Sequence, residues 1–254
     1  DEASAHLVAA LPYDVYNRKE ACEITAANRK SFLNIDRPET QFSDDVDTYD
    51  SRVYEKAREL LNAWVSDGTL LKDNREAYYI YELVMNGRSQ TGIVACSSID
   101  DYAQGIIKKH ENTREEKELD RICHVDRTDA QTGPIFLAYR SKKAINEIVE
   151  RVTATKPLYD FTAEDGVSHK IWQVSDAETV SEIEQAFQGV PSTYIADGHH
   201  RAASAVKVGL KRRDENPGYT GEEPFNFFLS VLFPDEQLMI MPYNRVVKDL
   251  NGLS

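Results

Sequence analysis

The sequence predicts an α+β fold: a mixed sheet with β-hairpins and flanking helices. Three observations carry that prediction. The turn-forming pairs Asn86-Gly87 and Asp165-Gly166 each lie between β-prone runs, the pattern of antiparallel hairpins. Apolar residues elsewhere recur at helical spacing, most clearly Val53, Ala57, Leu60, Leu61 and Trp64. Strands and helices mix without a steady βαβ rhythm, which points to a mixed sheet.

The elements follow in order. Asn17 to Lys30 reads as a helix opened by Asn17. Glu39 to Asp50 is acidic and reads as a solvated loop. Arg52 to Val65 is an amphipathic helix that Asp50 or Ser51 can cap and Asp67-Gly68 can end. Ala77–Met85 and Arg88–Cys96 form the first hairpin. Ser98 and Asp101 have the spacing of a capping box and open a helix over Ile99–Lys109. A charged helix over Thr113–Cys123 follows, then a strand over Ile135–Tyr139 and an amphipathic helix over Lys142–Val152. Leu158–Thr162 and His169–Val174 make the second hairpin. Ser175 and Glu178 read as a capping box for a helix to Phe187. Thr193–Ala196 is a short strand that leads into a helix carrying Ala202, Ala205, Val206 and Leu210. A polar loop, Arg213–Pro224, precedes strands over Phe225–Phe233 and Leu238–Tyr243 around Pro234-Asp235. We expect one composite unit over 1–254, with two lobes around a cleft as the alternative arrangement. The abrupt stop after Val246–Ser254 suggests the N-terminal part of a longer chain.

Composition narrows the function. Acidic residues outnumber basic ones, 43 to 30, for a net charge of −13. That balance opposes duplex nucleic-acid binding, which depends on Lys and Arg neutralising phosphates. A local basic pocket for a small anion is compatible with it. No apolar stretch approaches the ~20 residues of a membrane span. Three scattered cysteines, Cys22, Cys96 and Cys123, give no disulfide framework and no zinc motif. The expected compartment is the cytoplasm, and no metal site is expected.

The most informative segment is Asp197-Gly198-His199-His200-Arg201, a strand-to-helix turn. A helix start exposes unpaired backbone N–H groups and the positive end of the macrodipole. Gly198 lets a ligand approach the backbone. An anion there would meet amide donors, a guanidinium and two imidazoles, so phosphate is the natural occupant. The plain alternative is that Asp197 only caps the helix. Cations at a helix N-terminus are disfavoured by the dipole, and a bound anion would account for them.

Other groups carry structural alternatives of the same kind. Asn17-x-x-Glu20 has capping-box spacing, so Glu20 can be purely structural. Lys109-His110-Glu111-x-Thr113 offers phosphate-binding side chains, or a charged turn in which Thr113 caps the next helix over Glu116. Arg37 and Arg121 are candidate phosphate or carboxylate clamps, or structural ion pairs. Glu115 to Glu118 read as a solvated face.

Ala196 to Ala203 resembles the Gly-x-His/Arg-Arg-x-x-Ala signature of the ParB/sulfiredoxin superfamily. The whole chain resembles a bacterial and archaeal family known as a domain of unknown function. The resemblance rests on Leu11-Pro12-Tyr13-Asp14-Val15, Ser31-Phe32-Leu33, Arg37-Pro38-Glu39, Asn86-Gly87-Arg88, Lys109-His110-Glu111-Asn112-Thr113, Asp120-Arg121, Thr132-Gly133-Pro134 and Tyr243-Asn244-Arg245-Val246-Val247. Within the superfamily it is similar to the free L-serine kinases. That resemblance implies a ParB/sulfiredoxin-like core and a nucleotide-dependent kinase acting on the hydroxyl of free L-serine or a similar metabolite, with ADP or ATP and Mg²⁺. It implies nucleotide phosphates at Asp197, Gly198, His199, His200 and Arg201. It implies Glu20 as base, with His199 and His200 as further catalytic groups. Substrate contacts would come from Tyr13, Asp14, Arg37, Lys109, His110, Glu111 and Thr113. A regulatory nucleotide-binding module, or a phosphatase acting on a phosphorylated amino acid, are the alternatives.

Overall fold

A computed structural model gives the fold and describes residues 4–252 except 114, 243, 245 and 250. The α+β expectation holds: among the described residues eight strands form one mixed sheet, flanked by helices. The N-terminal part is helical, with α1 (Ala5–Val8), α2 (Arg18–Ala27), α3 (Leu33–Asp36) and α4 (Ser51–Ser66). Asn17 and Glu20 complete a reciprocal capping box at α2, and Asp50 caps α4. The first hairpin is β1 (Tyr78–Met85) and β2 (Arg88–Ser98), with Asn86 and Gly87 both at positive φ. Next come α5 (Ile99–Ala103), β3 (Ile107–Lys108), α6 (Glu115–Thr128), β4 (Ile135–Tyr139) and α7 (Lys143–Thr153). The second hairpin pairs β5 (Tyr159–Thr162) with β6 (Ser168–Val174). The remaining elements are α8 (Ala177–Phe187), β7 (Thr193–Asp197), α9 (His199–Glu215) and β8 (Phe227–Pro234).

The sheet order is β3-β7-β4-β8-β2-β1-β6-β5. β4 lies parallel to β8 and antiparallel to β7, so both edges of β4 are paired. Alternation along β4 buries Ile135, Leu137 and Tyr139 in the main core. Ile80, Ile93 and Ile195 join them from neighbouring strands. Ile145 and Ile148 of α7, Ile183 of α8, and Ala202, Ala205 and Val206 of α9 complete the core. Phe136 points to the opposite face, where the cavity described below lies.

Several expectations are corrected. The helix expected over Ile99–Lys109 stops at Ala103, because Gly105 adopts φ 73° and Ile107-Lys108 pair with Thr193-Tyr194 instead. The helix opened by Asn17, α2, ends at Ala27, where the Asn28 side-chain amide donates to the Leu7 carbonyl at 2.7 Å. Asp176, not Ser175, caps α8, accepting from the Thr179 N–H at 2.9 Å. No strand forms over Leu238–Pro242, and Tyr243 lies outside the described residues. The sequence carried the reason, since Pro242 has no N–H for a ladder. Gln237 instead docks on β2, its side-chain oxygen accepting from the Thr91 N–H at 2.6 Å. Glu39, expected in a solvated loop, is 2% exposed and paired with Arg37 at 2.5 Å. Glu118, expected on a solvated face, is also buried; it forms an ion pair with Lys207 and accepts from Thr113. In both cases a nearby cation lets a carboxylate leave water. Among the described residues no helix is long and apolar enough to cross a membrane, and the three cysteines are free.

Candidate functional site

The site starts from the turn between β7 and α9. β7 ends at Asp197, and Gly198 takes φ 93°, a left-handed conformation that a residue with a Cβ would strain to adopt. Among the described residues no side chain caps α9. Arg201 instead curls back under the turn. Its Nη2 donates to Asp197 Oδ2 at 2.7 Å, and its Nη1 donates to the Pro134 carbonyl at 2.5 Å. A Cβ on Gly198 would lie 3.1 Å from Arg201 Nε, and one on Gly133 would lie 3.3 Å from Arg201 Nη1. The guanidinium thus fits between two glycines.

Arg201 and Asp197 line a cavity of about 600 Å³ on the second face of the sheet. Tyr81, Phe136, His169, Val231 and Phe233 form its sheet wall. Tyr13, Phe32 and Asp36 come from the N-terminal part, Arg121 and His124 from α6, and Thr132-Gly133-Pro134 from the loop before β4. The lining is mostly apolar with a few convergent polar groups, the usual make-up of a small-molecule pocket.

The polar groups are unusual. Asp36 is 7% exposed, and burial pushes its carboxyl up to about 6, against the pull of a Thr132 hydrogen bond and the charges of Arg121 and Arg201. Arg121 bonds Asp120 at 2.8 Å and stacks 4.1 Å over the Tyr13 ring. Tyr54 donates to the same Asp120 at 2.9 Å, which fixes the pair. His124 is 1% exposed and lies 3.0 Å by its Nε2 from the Ile35 carbonyl. Burial, reinforced by Arg121, pushes its imidazole down to about 4, so it stays neutral. Burial pushes the Tyr81 hydroxyl up to about 12, and that hydroxyl contacts His169 Nδ1 at 2.7 Å.

The predicted residues separate into groups. Tyr13, Arg121, Asp197 and Arg201 reach the cavity, with Gly198 between the last two. His199, His110 and Glu111 form a second cluster beside the same turn. His199 Nδ1 lies 3.3 Å from Glu111 Oε1, and the His199 and His110 rings are 4.4 Å apart. One potential ligand atom from each of the three lies within 4.8 Å of the others. Burial first, then the neighbouring His110, lowers the His199 pKa. Asp14 is exposed in the 3₁₀ turn Tyr13–Val15. Arg37 does not line the cavity: Nη1 donates to the carbonyls of Tyr13 at 2.8 Å and Tyr16 at 2.6 Å, and Nε pairs with Glu39. Lys109 lies 4.5 Å over the Tyr102 ring. Thr113 donates to Glu118 rather than meeting Glu116. The carbonyl of half-buried His200 accepts from Ser204 at 2.7 Å. Glu20 is exposed and does not line the cavity. Its carboxylate accepts from the Asn17 N–H at 2.9 Å. With Asp165 and Glu164 it adds to the effect of burial in raising the Tyr16 pKa.

Sequence reasoning missed Asp36, His124 and His169 as cavity groups. A signal existed for the first: an aspartate directly after the apolar Leu33-x-Ile35 pair and before Arg37-Pro38 is oddly placed for a surface residue. His124 stands one helical turn after Arg121, which places the two on one face. His169 had no signal, because its partner Tyr81 comes from the other hairpin.

No curated protein and no solved structure matches this chain. A family model does, over residues 1–254, and the chain belongs to that family, described as protein of unknown function (DUF1015).

Proposed function

We propose that the protein is a nucleotide-dependent kinase for the hydroxyl of a small metabolite, with free L-serine as the acceptor and a ParB/sulfiredoxin-like core around the β7–Gly198–α9 turn. The observation that carries this reading is the Arg201 guanidinium. It sits between Gly133 and Gly198 at a helix start without a side-chain cap, on the wall of a cavity that also holds the buried Asp36. A terminal phosphate at the turn would meet backbone donors and this fixed charge. Phosphoryl transfer depends mostly on positioning and on such charge stabilisation.

In this reading the acceptor oxygen attacks the terminal phosphorus, the bond to the nucleotide's leaving oxygen breaks, and the hydroxyl proton passes to a carboxylate. Asp36 is our choice for that carboxylate. It lines the cavity, and burial has moved its pKa toward neutrality, where a general base works best. Arg121 and Tyr13 then hold the acceptor's own carboxylate. Magnesium takes oxygen ligands and neutralises phosphate charge. The Asp197 carboxylate, 66% exposed at the turn, is the donor that fits it.

The test is an assay of purified protein with ADP or ATP, L-serine and Mg²⁺, following phosphoserine by mass spectrometry. Serine-dependent phosphoserine formation supports the proposal. Phosphoserine hydrolysis without nucleotide would replace it with the phosphatase reading. Nucleotide binding without turnover would leave a regulatory module.

A further inference from the structure

We propose that His110, Glu111 and His199 form a zinc-type metal site, with two imidazoles and one carboxylate as ligands. The inference goes beyond the kinase reading, because its donor set differs from the oxygen ligands that a nucleotide-bound magnesium takes.

The geometry is close to what such an ion needs. Ligand atoms of a tetrahedral zinc at ordinary bond lengths lie about 3.4 Å apart. His199 Nδ1 and Glu111 Oε1 are already at 3.3 Å. The whole set lies within 4.8 Å, so a movement of up to about 1.4 Å by the remaining ligand closes it. His110 and Glu111 can make that movement, since both are exposed on the segment between β3 and α6. His199 cannot move far: it is 4% exposed at the first position of α9, directly after the left-handed Gly198. One rigid ligand and two adaptable ones are a workable arrangement for capture.

The other ring nitrogen of His199, Nε2, is buried and has no hydrogen-bond partner among the described residues. It lies on the far side of the ring from Nδ1 and is not a ligand of the same ion; a metal on Nδ1 would leave the ring proton on Nε2.

The ligand types choose the ion. Imidazole with one carboxylate suits zinc and its first-row neighbours and is a poor match for magnesium or calcium. Three protein ligands leave a fourth position open, as in catalytic zinc sites. That position borders the Gly198 turn, because His199 is the next residue.

Isothermal titration of the full chain, after dialysis against a chelator, tests the proposal with Zn²⁺ and Co²⁺ alone. Neither nucleotide nor serine is present, so failure here and failure of the kinase reading are separate results. We expect one ion per chain and visible Co²⁺ absorption bands of a nitrogen–oxygen site. His110→Ala and Glu111→Gln, both at exposed positions, should retain the far-UV circular dichroism of the parent and lose at least tenfold in affinity. His199→Ala should lose binding altogether, but its burial makes the two exposed variants the deciding ones. His6→Ala, on exposed α1, should bind like the parent, and Mg²⁺ should not compete at equal concentration. Absence of stoichiometric binding overturns the proposal. So does binding that His110→Ala and Glu111→Gln leave unchanged.

Discussion

Helices α2 and α9 start in opposite ways, and the contrast separates structure from function here. At α2, Asn17 accepts from the Glu20 N–H at 3.0 Å, and Glu20 accepts from the Asn17 N–H in return. The box is complete and the residues are exposed, so two of the first-turn donors are satisfied by the helix's own side chains. At α9 the cap position is Gly198, no side chain caps the helix, and the first helical residue is a buried histidine. Both starts look functional from the residues alone. Asp197 and Arg201, on either side of Gly198, line the cavity, whereas Asn17 and Glu20 do not. In our proposed reading the first start is structural and the ligand sits at the second, which a glycine opens beside the cavity.

The contrast can be broken first at the arginines that serve each region. Arg37 anchors the turn before α2 through two carbonyls and the buried Glu39. Arg37→Ala leaves that carboxylate without its partner and should cost about 3 kcal/mol or more of stability, read by urea denaturation. Arg201→Ala should do the reverse. It should change stability much less, but weaken phosphate or nucleotide binding by ~1.5–3 kcal/mol in calorimetry. If Arg37→Ala is as stable as the parent, or Arg201→Ala binds as well, the two regions do not divide as described.

The second comparison is in pH. Asp36 is raised in the folded state to about 6 from 3.8. A carboxyl shifted upward favours the folded protein at low pH and penalises it as pH rises. The penalty begins near pH 4 and is complete above pH 6. Asp36→Asn removes it. The variant should therefore gain roughly 3 kcal/mol relative to the parent between pH 4 and pH 7. His124 titrates in the opposite sense, being pushed down to about 4, and is present in both proteins, so the difference isolates Asp36. In the kinase reading the same variant loses turnover, and the parent's kcat/KM rises through pH 6. A flat stability difference across this range would show that Asp36 is not held in its buried environment.

What the sequence made legible follows from range. Local signals gave the hairpins at Asn86-Gly87 and Asp165-Gly166, the strand Ile135–Tyr139 and the β7-to-α9 turn, because each depends on residues a few positions apart. Pairings across the chain left weaker traces. β4 lies between β7 and β8 only because three distant segments share one sheet. Asp36, Arg121 and Arg201 meet through packing of the helical part on that sheet, and no local pattern encodes the meeting. Charge misled too. Glu118 reads as solvated until the distant Lys207 comes beside it. The partner of Glu39 is local, Arg37, but the burial of that pair comes from the fold. His110 and Glu111 sat in a motif already noted, but their approach to His199 across 88 positions is a property of the fold.

The smallest expected effect is the sharpest test of the contrast. The resemblance to the free serine kinases implies Glu20 as base, whereas its carboxylate is engaged at the start of α2 and Asp36 faces the cavity. Glu20→Gln keeps a side chain that can still accept from the Asn17 N–H, as Gln does in capping boxes. Its stability should stay within about 0.5 kcal/mol of the parent. Glu20→Ala should lose somewhat more, about 0.5–1 kcal/mol, because that N–H then has only water. Neither change should alter nucleotide affinity. If Asp36 takes the proton, Glu20→Gln retains full serine-dependent turnover, while Asp36→Asn loses it with binding intact. If instead Glu20→Gln abolishes turnover without disturbing the fold, the carboxylate must leave its cap when substrate arrives. The two helix starts would then be working parts of one site, and Asp36 would be left as a positioning residue.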